Sequence, residues 1–149
     1  GYWGLPEKTR EEFTADGFFR TGDMGRFDSE GYLAIIGRDK DLIITGGLNV
    51  YPKEIEEAID TLPGVAESAV IGLPHPDFGE AVTAVVVRGR DASGLTAEGI
   101  IAALKGNIAG FKVPKAVHFV DDLPRNAMGK VQKNRLRERF GDARKSQPP

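Results

Sequence analysis

The 149-residue chain contains no cysteine. Disulfides, thiolate metal sites and cysteine nucleophiles are therefore excluded, and a cytoplasmic location is left unopposed. No apolar run approaches the roughly 18–20 residues that cross a bilayer, so no membrane span is expected. Nor is there an excess of one charge. Twenty Lys and Arg against 22 Asp and Glu leave −2, too little to draw nucleic acid or an anionic membrane by a global field. Gly1-Tyr2-Trp3-Gly4 shows neither an initiator Met nor a signal-peptide pattern, and the expectation is a piece that begins partway through a larger protein. Internal repeats are absent, and only the last few residues look low in complexity. What is present, 40% hydrophobic and 28% charged residues, suits one ordinary globular domain.

The stretch from Gly37 to Glu57, GRDKDLIITGGLNVYPKEIEE, organises the rest. Its charged knot Arg38-Asp39-Lys40-Asp41 is one that few folds place inside a regular element. A β-type run Leu42–Thr45 follows, then Gly46-Gly47, then Asn49-Val50-Tyr51. Pro52 opens an amphipathic helix, since its fixed φ suits the first helical position and its missing N–H is not needed there. Without a Cβ, Gly46 and Gly47 can take unusual φ/ψ or lie close against a ligand. Two readings stand on these residues alone: an articulated, ligand-facing segment, and a β-hairpin with a glycine turn.

Elsewhere the pattern is regular. A polar helix is expected over Glu7–Phe13, turns at Asp16-Gly17 and Ser29-Glu30-Gly31, and a strand over Tyr32–Ile36. Asp23, after Thr21-Gly22 at the end of an aromatic strand, could accept hydrogen bonds from vicinal hydroxyls. Taken by itself it reads as a solvated turn residue. Ile55, Ala58, Ile59 and Leu62 put one apolar face on a helix from Pro52 to about Leu62. Val65–Leu73 and Ala81–Arg88 read as two buried strands, with 74–80 as the loop between them. His75, flanked by prolines in that loop, reads as a turn residue rather than a base. Thr96 can N-cap a second helix, and Ala116–Val120 forms a third strand. The order is β-hairpin, helix, strand, strand, helix, strand, final helix: a small α+β layer domain.

The end of the chain carries Asp122-Leu123-Pro124-Arg125-Asn126-Ala127-Met128-Gly129-Lys130. Residues 124–129 cannot hold regular structure, so an exposed loop presenting Lys130 is expected before a short helix to about Gly141. Arg125 to Lys145 hold eight Lys and Arg against two Asp and Glu, a balance of +6 that leaves −8 for the remainder. That basic end reads either as a solvated helix face or as an anion-handling patch. A nucleic-acid arm is disfavoured, because aromatics for base stacking are not interleaved with the cations.

Three of these motifs together resemble the acyl-adenylate-forming superfamily of acyl-CoA synthetases, peptide-synthetase adenylation domains and luciferases: the knot around Arg38, the Thr-Gly-Asp at Asp23, and the loop before Lys130. The resemblance implies that residues 1–38 end a β-rich N-terminal adenylation domain. It implies that 39–149 form a small mobile C-terminal lid, a β-hairpin plus a three-stranded sheet with helices. Asp23 and Arg38 would contact ATP or AMP, Lys40 would be the hinge, and Gly46, Gly47 and Leu48 would line the CoA channel. Lys130 would be the catalytic lysine, entering the site while a carboxylate attacks the α-phosphate of ATP. It would also be a modification site for a protein lysine acetyltransferase. ATP, Mg2+ and CoA are the implied cofactors, a carboxylic acid the substrate and the chain's own N-terminal domain the partner, with no metal site among these residues. The phosphate loop and acyl pocket of the family do not occur here, so this stretch alone is expected to be inactive. The wording of 44–56 and 122–126 most resembles malonyl-CoA synthetases, with medium- and long-chain acyl-CoA synthetases close behind. A different class of reading is the small domain as a protein-recognition module.

Overall fold

The computed structural model describes residues 1–145, with the final few residues, read above as low in complexity, outside the described ones. Gly1–Lys40 form one compact unit and the chain from Asp41 onward forms a second.

In the first unit, helix α1 (Pro6–Glu12) precedes two antiparallel strands, β1 (Asp23–Phe27) and β2 (Leu33–Arg38). Asp28-Ser29-Glu30-Gly31 turns the chain between them, the Asp28 carboxylate accepting from the Glu30 and Tyr32 amides. The segment before Asp23 is not a strand. It holds only one bridge, Phe13 to Phe19, so Asp23 opens a strand instead of closing an aromatic one. None of these forty residues is buried, and Trp3, Phe18, Phe27, Tyr32 and Leu33 are more than half exposed. Two strands and seven helical residues offer no second layer to cover an apolar face.

The knot at Asp39–Asp41 is a single 3-10 turn and not irregular chain. Asp39 and Lys40 face water and the partly buried Asp41 pairs with Arg137, so an all-charged turn fits.

The second unit is a five-stranded sheet between helices. Strands β3 (Ile43–Thr45) and β4 (Leu48–Val50) make a hairpin, and β5 (Val65–His75) and β6 (Gly79–Arg88) a longer one. Thr45 pairs with Gly79, joining the two hairpins, and β7 (Ala116–Val120) runs parallel to β6. The small hairpin is therefore part of the main sheet and not an appendage to a three-stranded one. Helices α2 (Pro52–Asp60) and α3 (Ala97–Lys105) cover one face, where Ile55, Ile59, Ile100 and Leu104 meet Val70, Val82, Ala84 and Val86. The last helix, α4 (Lys133–Lys145), covers the other, where Leu136 meets Ala69, Ile71, Leu73 and Val85. Both faces are dry, which is why the strands read as unbroken apolar runs instead of an alternation.

Strand β5 forms an outer edge, and the Val70 amide on that edge donates to Glu56 Oε1 at 2.7 Å. Glu56 also pairs with Lys133 at 2.6 Å, which ties α2, β5 and the start of α4 together. Amides two residues apart face the same way, so the nitrogen of Pro74 also points outward and the ladder loses no donor there. The expected loop at 74–80 accordingly shrinks to three residues between the strands. His75 closes β5, its Nδ1 accepting from the Asp77 amide at 3.2 Å, a turn-stabilising role. Thr96 caps α3 as expected, accepting from the Gly99 amide at 3.0 Å.

Candidate active site

Strand register brings the first pair together. Asp23 and Arg38 sit directly opposite each other on β1 and β2, with Arg38 Nε 3.2 Å from Asp23 Oδ1. The Asp39 amide donates to the Gly22 carbonyl at 3.0 Å, so the chain on both sides of the pair is held. The pair lies in an open depression of about 610 Å³, lined also by Thr21, Gly22, Asp39 and Lys40. In such a hollow the carboxylate can accept from vicinal hydroxyls, and the guanidinium beside it can donate to a phosphate. Lys40 is exposed in the middle of the 3-10 turn, at the division between the two units.

Gly46 and Gly47 form the two-residue turn between β3 and β4, with φ of +56° and +77°. Positive φ at both positions is what a tight hairpin matching the twist of its strands requires, so the hairpin reading is correct for this turn. The Gly46 amide donates to the Phe78 carbonyl at 2.8 Å, and the Ile44 amide to Glu80 Oε2 at 2.8 Å. The turn is thus anchored at its base, while Gly46, Gly47 and Leu48 are exposed.

Lys130 stands on a loop that is closed, although it contains no helix or strand. Arg125 and Val131 form an antiparallel bridge, and the Gln132 amide donates to the Pro124 carbonyl at 2.7 Å. Inside that closure, Asn126 Oδ1 accepts from the Met128 amide at 3.0 Å and the Lys130 amide at 2.9 Å. Gly129 turns the chain at φ +78°. The Lys130 side chain is exposed, and among the described residues its ammonium has neither an ion-pair nor a hydrogen-bond partner.

Its basic neighbours differ. Arg125 pairs with Glu67, Lys133 with Glu56 and Arg137 with Asp41. Three cations of the basic end are therefore neutralised by carboxylates from earlier elements, and the segment is neither a bare solvated face nor a continuous anion patch. Arg125 and Asn126 belong to the quoted motif without an assigned role, and the Asn side chain two residues before a turn amide is a signal that could have identified the cradle. Glu67, 58 residues from its partner, left no such signal.

Among the described residues no group of three or more His, Cys, Asp or Glu converges to hold a metal, and no helix is long and apolar enough to cross a membrane. Asp23 and Arg38 share one hollow, whereas Gly46–Leu48 and Lys130 occupy separate elements of the second unit.

The family model for the AMP-binding enzyme C-terminal domain matches residues 54–130. The chain belongs to that family. Among solved structures, ATP-bound MatB from Rhodopseudomonas palustris is 62% identical with a TM-score of 0.86, over 96% of this chain and 28% of that one. A feruloyl-CoA synthase from Amycolatopsis is 46% identical over 141 residues, 95% of this chain and 28% of the relative. The long-chain-fatty-acid–CoA ligase FadD13 of Mycobacterium tuberculosis is 48% identical over 139 residues, 93% and 27% respectively. The chain therefore spans just over a quarter of the length of the curated relatives it matches, and the resemblance inferred from three motifs is a family membership. The α+β architecture is the one the family member MatB shares.

Proposed function

We propose that this chain is the C-terminal part of an AMP-forming acid–thiol ligase. In the first half-reaction a carboxylate oxygen attacks the α-phosphorus of ATP, the bond to pyrophosphate breaks, and acyl-AMP forms. In the second, the thiol of CoA attacks the acyl carbon and AMP leaves. Residues 1–38 would end the N-terminal adenylation domain and 39–149 would form the mobile lid. Lys130 serves the first step, placing a cation on the phosphoryl oxygens where negative charge accumulates. Asp23 accepts from the ribose hydroxyls and Arg38 faces the nucleotide. Lys40 is the pivot, and Gly46, Gly47 and Leu48 line the channel for the CoA arm once the lid has turned. Mg2+ arrives with the nucleotide, held by phosphate oxygens and water.

One observation carries the reading. On a basic segment whose cations at 125, 133 and 137 are ion-paired, Lys130 keeps an exposed ammonium that has no partner among the described residues, on a hydrogen-bonded loop. The acyl group leans towards malonate or methylmalonate from the wording of 44–56 and 122–126, against the medium- and long-chain fatty acids of related synthetases.

The test is Lys130→Ala in the full-length enzyme, with the half-reactions assayed apart. Adenylation should fall about 10²–10³-fold, the loss that follows removal of one stabilising donor. Thioester formation from supplied acyl-adenylate should stay within about twofold, since that step does not use the lysine. Undiminished adenylation overturns the assignment.

The same exposure favours a second reading, in which the domain is recognised by a protein lysine acetyltransferase. Acetylation of Lys130 would remove its charge and so its hold on the transition state. Mass spectrometry after incubation with acetyl-CoA and such an enzyme should find the label at Lys130 in preference to the paired Lys133.

A further inference from the structure

We propose that Glu67 is a positioning residue for Lys130, acting through the Arg125 guanidinium; this rests on the reading of Lys130 as the adenylation lysine. Glu67 lies near the start of β5, where the pairing with β6 slips by one residue between Val65 and Glu67. Beyond the slip, Ala69, Ile71 and Leu73 all face the α4 side of the sheet. By the two-residue period of a strand Glu67 belongs to the same row, at its end. The loop from β7 to α4 crosses that end, its legs fixed by buried Leu123 on one side and partly buried Val131 on the other. Arg125 lies between those anchors and meets the Glu67 carboxylate through Nη2.

The other arm of the guanidinium decides what the contact is for. Arg125 Nη1 donates to the Gly129 carbonyl at 2.7 Å. That carbonyl shares a peptide plane with the Lys130 nitrogen. The Lys130 amide is held by Asn126 Oδ1 at 2.9 Å, and the Lys130 carbonyl accepts from the Asn126 amide at 3.0 Å. The Gly129 carbonyl and both the amide and the carbonyl of Lys130 are therefore held, while among the described residues its side chain has no partner. Two nitrogens of one planar fork span the carboxylate and the carbonyl, a fixed spacing that a compact ammonium does not reproduce. An exposed ion pair with no further role would contribute little to stability and nothing to rate. A pair that aims a catalytic cation affects rate instead, because small misplacements of a reacting group cost up to about a hundredfold.

The experiment uses the full-length enzyme with Glu67→Gln, Arg125→Lys, Lys130→Ala and the Glu67→Gln/Lys130→Ala double variant. Glu67→Gln and Arg125→Lys should each lower kcat for adenylation about tenfold, a fraction of the full misplacement loss. KM for ATP and for the acid, thioester formation from supplied acyl-adenylate, and the melting temperature should hardly move. In the Lys130→Ala background Glu67→Gln should cost nothing more. A tenfold loss that persists in that background shows that Glu67 acts apart from the lysine and overturns the proposal. Unchanged adenylation in both Glu67→Gln and Arg125→Lys, with Lys130→Ala severely impaired, overturns it while leaving the lysine assignment intact. Undiminished adenylation in Lys130→Ala removes the functional reading itself, and the positioning role falls with it.

Discussion

The two units of this chain are built to opposite standards. From Asp41 onward, helices close both faces of a five-stranded sheet and, among the described residues, eighteen hydrophobic ones are buried. In the first forty residues none is, and the aromatic side chains face outward. Forty residues are near the lower limit for a self-supporting fold, and here even the second layer is missing. The second unit has what independent folding requires. The first leaves its large apolar side chains without a covering layer of its own.

The largest effect that tests this contrast is in amide hydrogen exchange. Amides of Val70, Val82 and Val85 should open only by near-global unfolding, whereas those of Gly25 and Ala34 exchange through local opening. Protection factors in the two sets should differ by about 10³ or more, and equal protection would erase the distinction.

Point substitution sharpens it further. Ile71→Ala removes a fully buried side chain from the α4 face and should cost about 2–5 kcal/mol in urea unfolding. Ile35→Ala removes a side chain that is half exposed in β2 and should change stability by about 0.5 kcal/mol or less in this chain. A cost at Ile35 as large as that at Ile71 would mean that the first unit has a core of its own.

The smallest effect concerns helix ends. Thr96→Ala deletes the acceptor for the Gly99 amide and should lower stability by about 1 kcal/mol. No side-chain cap opens α1, so Leu5→Ala should leave helix stability nearly unchanged by the same measurement.

Local features were the legible ones. The period of Ile55, Ala58 and Ile59, the proline at position 52 and the cap at Thr96 each act over a turn or two of helix and are found where the pattern places them, although α2 ends at Asp60, short of Leu62. Asp23 and Arg38 were singled out by the family resemblance, and a short hairpin makes them a cross-strand pair. The long reach of β5 and β6 was missed because Pro74 and Gly79 look like breakers. Only the hydrogen-bonding parity of an outer strand reveals that the proline there interrupts nothing. The charge balance of Arg125 to Lys145 misled for a related reason. A sum of charges counts Arg125, Lys133 and Arg137 as free, whereas the fold brings Glu67, Glu56 and Asp41 to them from 58 to 96 positions away.

The carboxylate on the Val70 amide bears on how this domain behaves in company. An outer strand with free donors is a template on which another chain can add a strand of its own. At position 70 the donor is taken by Glu56, itself held by Lys133, and at position 74 proline supplies no donor at all. An incoming strand would have to displace a carboxylate from two partners at one place and forgo a hydrogen bond at the other. Two positions on the longest margin of the sheet are thereby withheld from strand addition, which disfavours polymerisation along it.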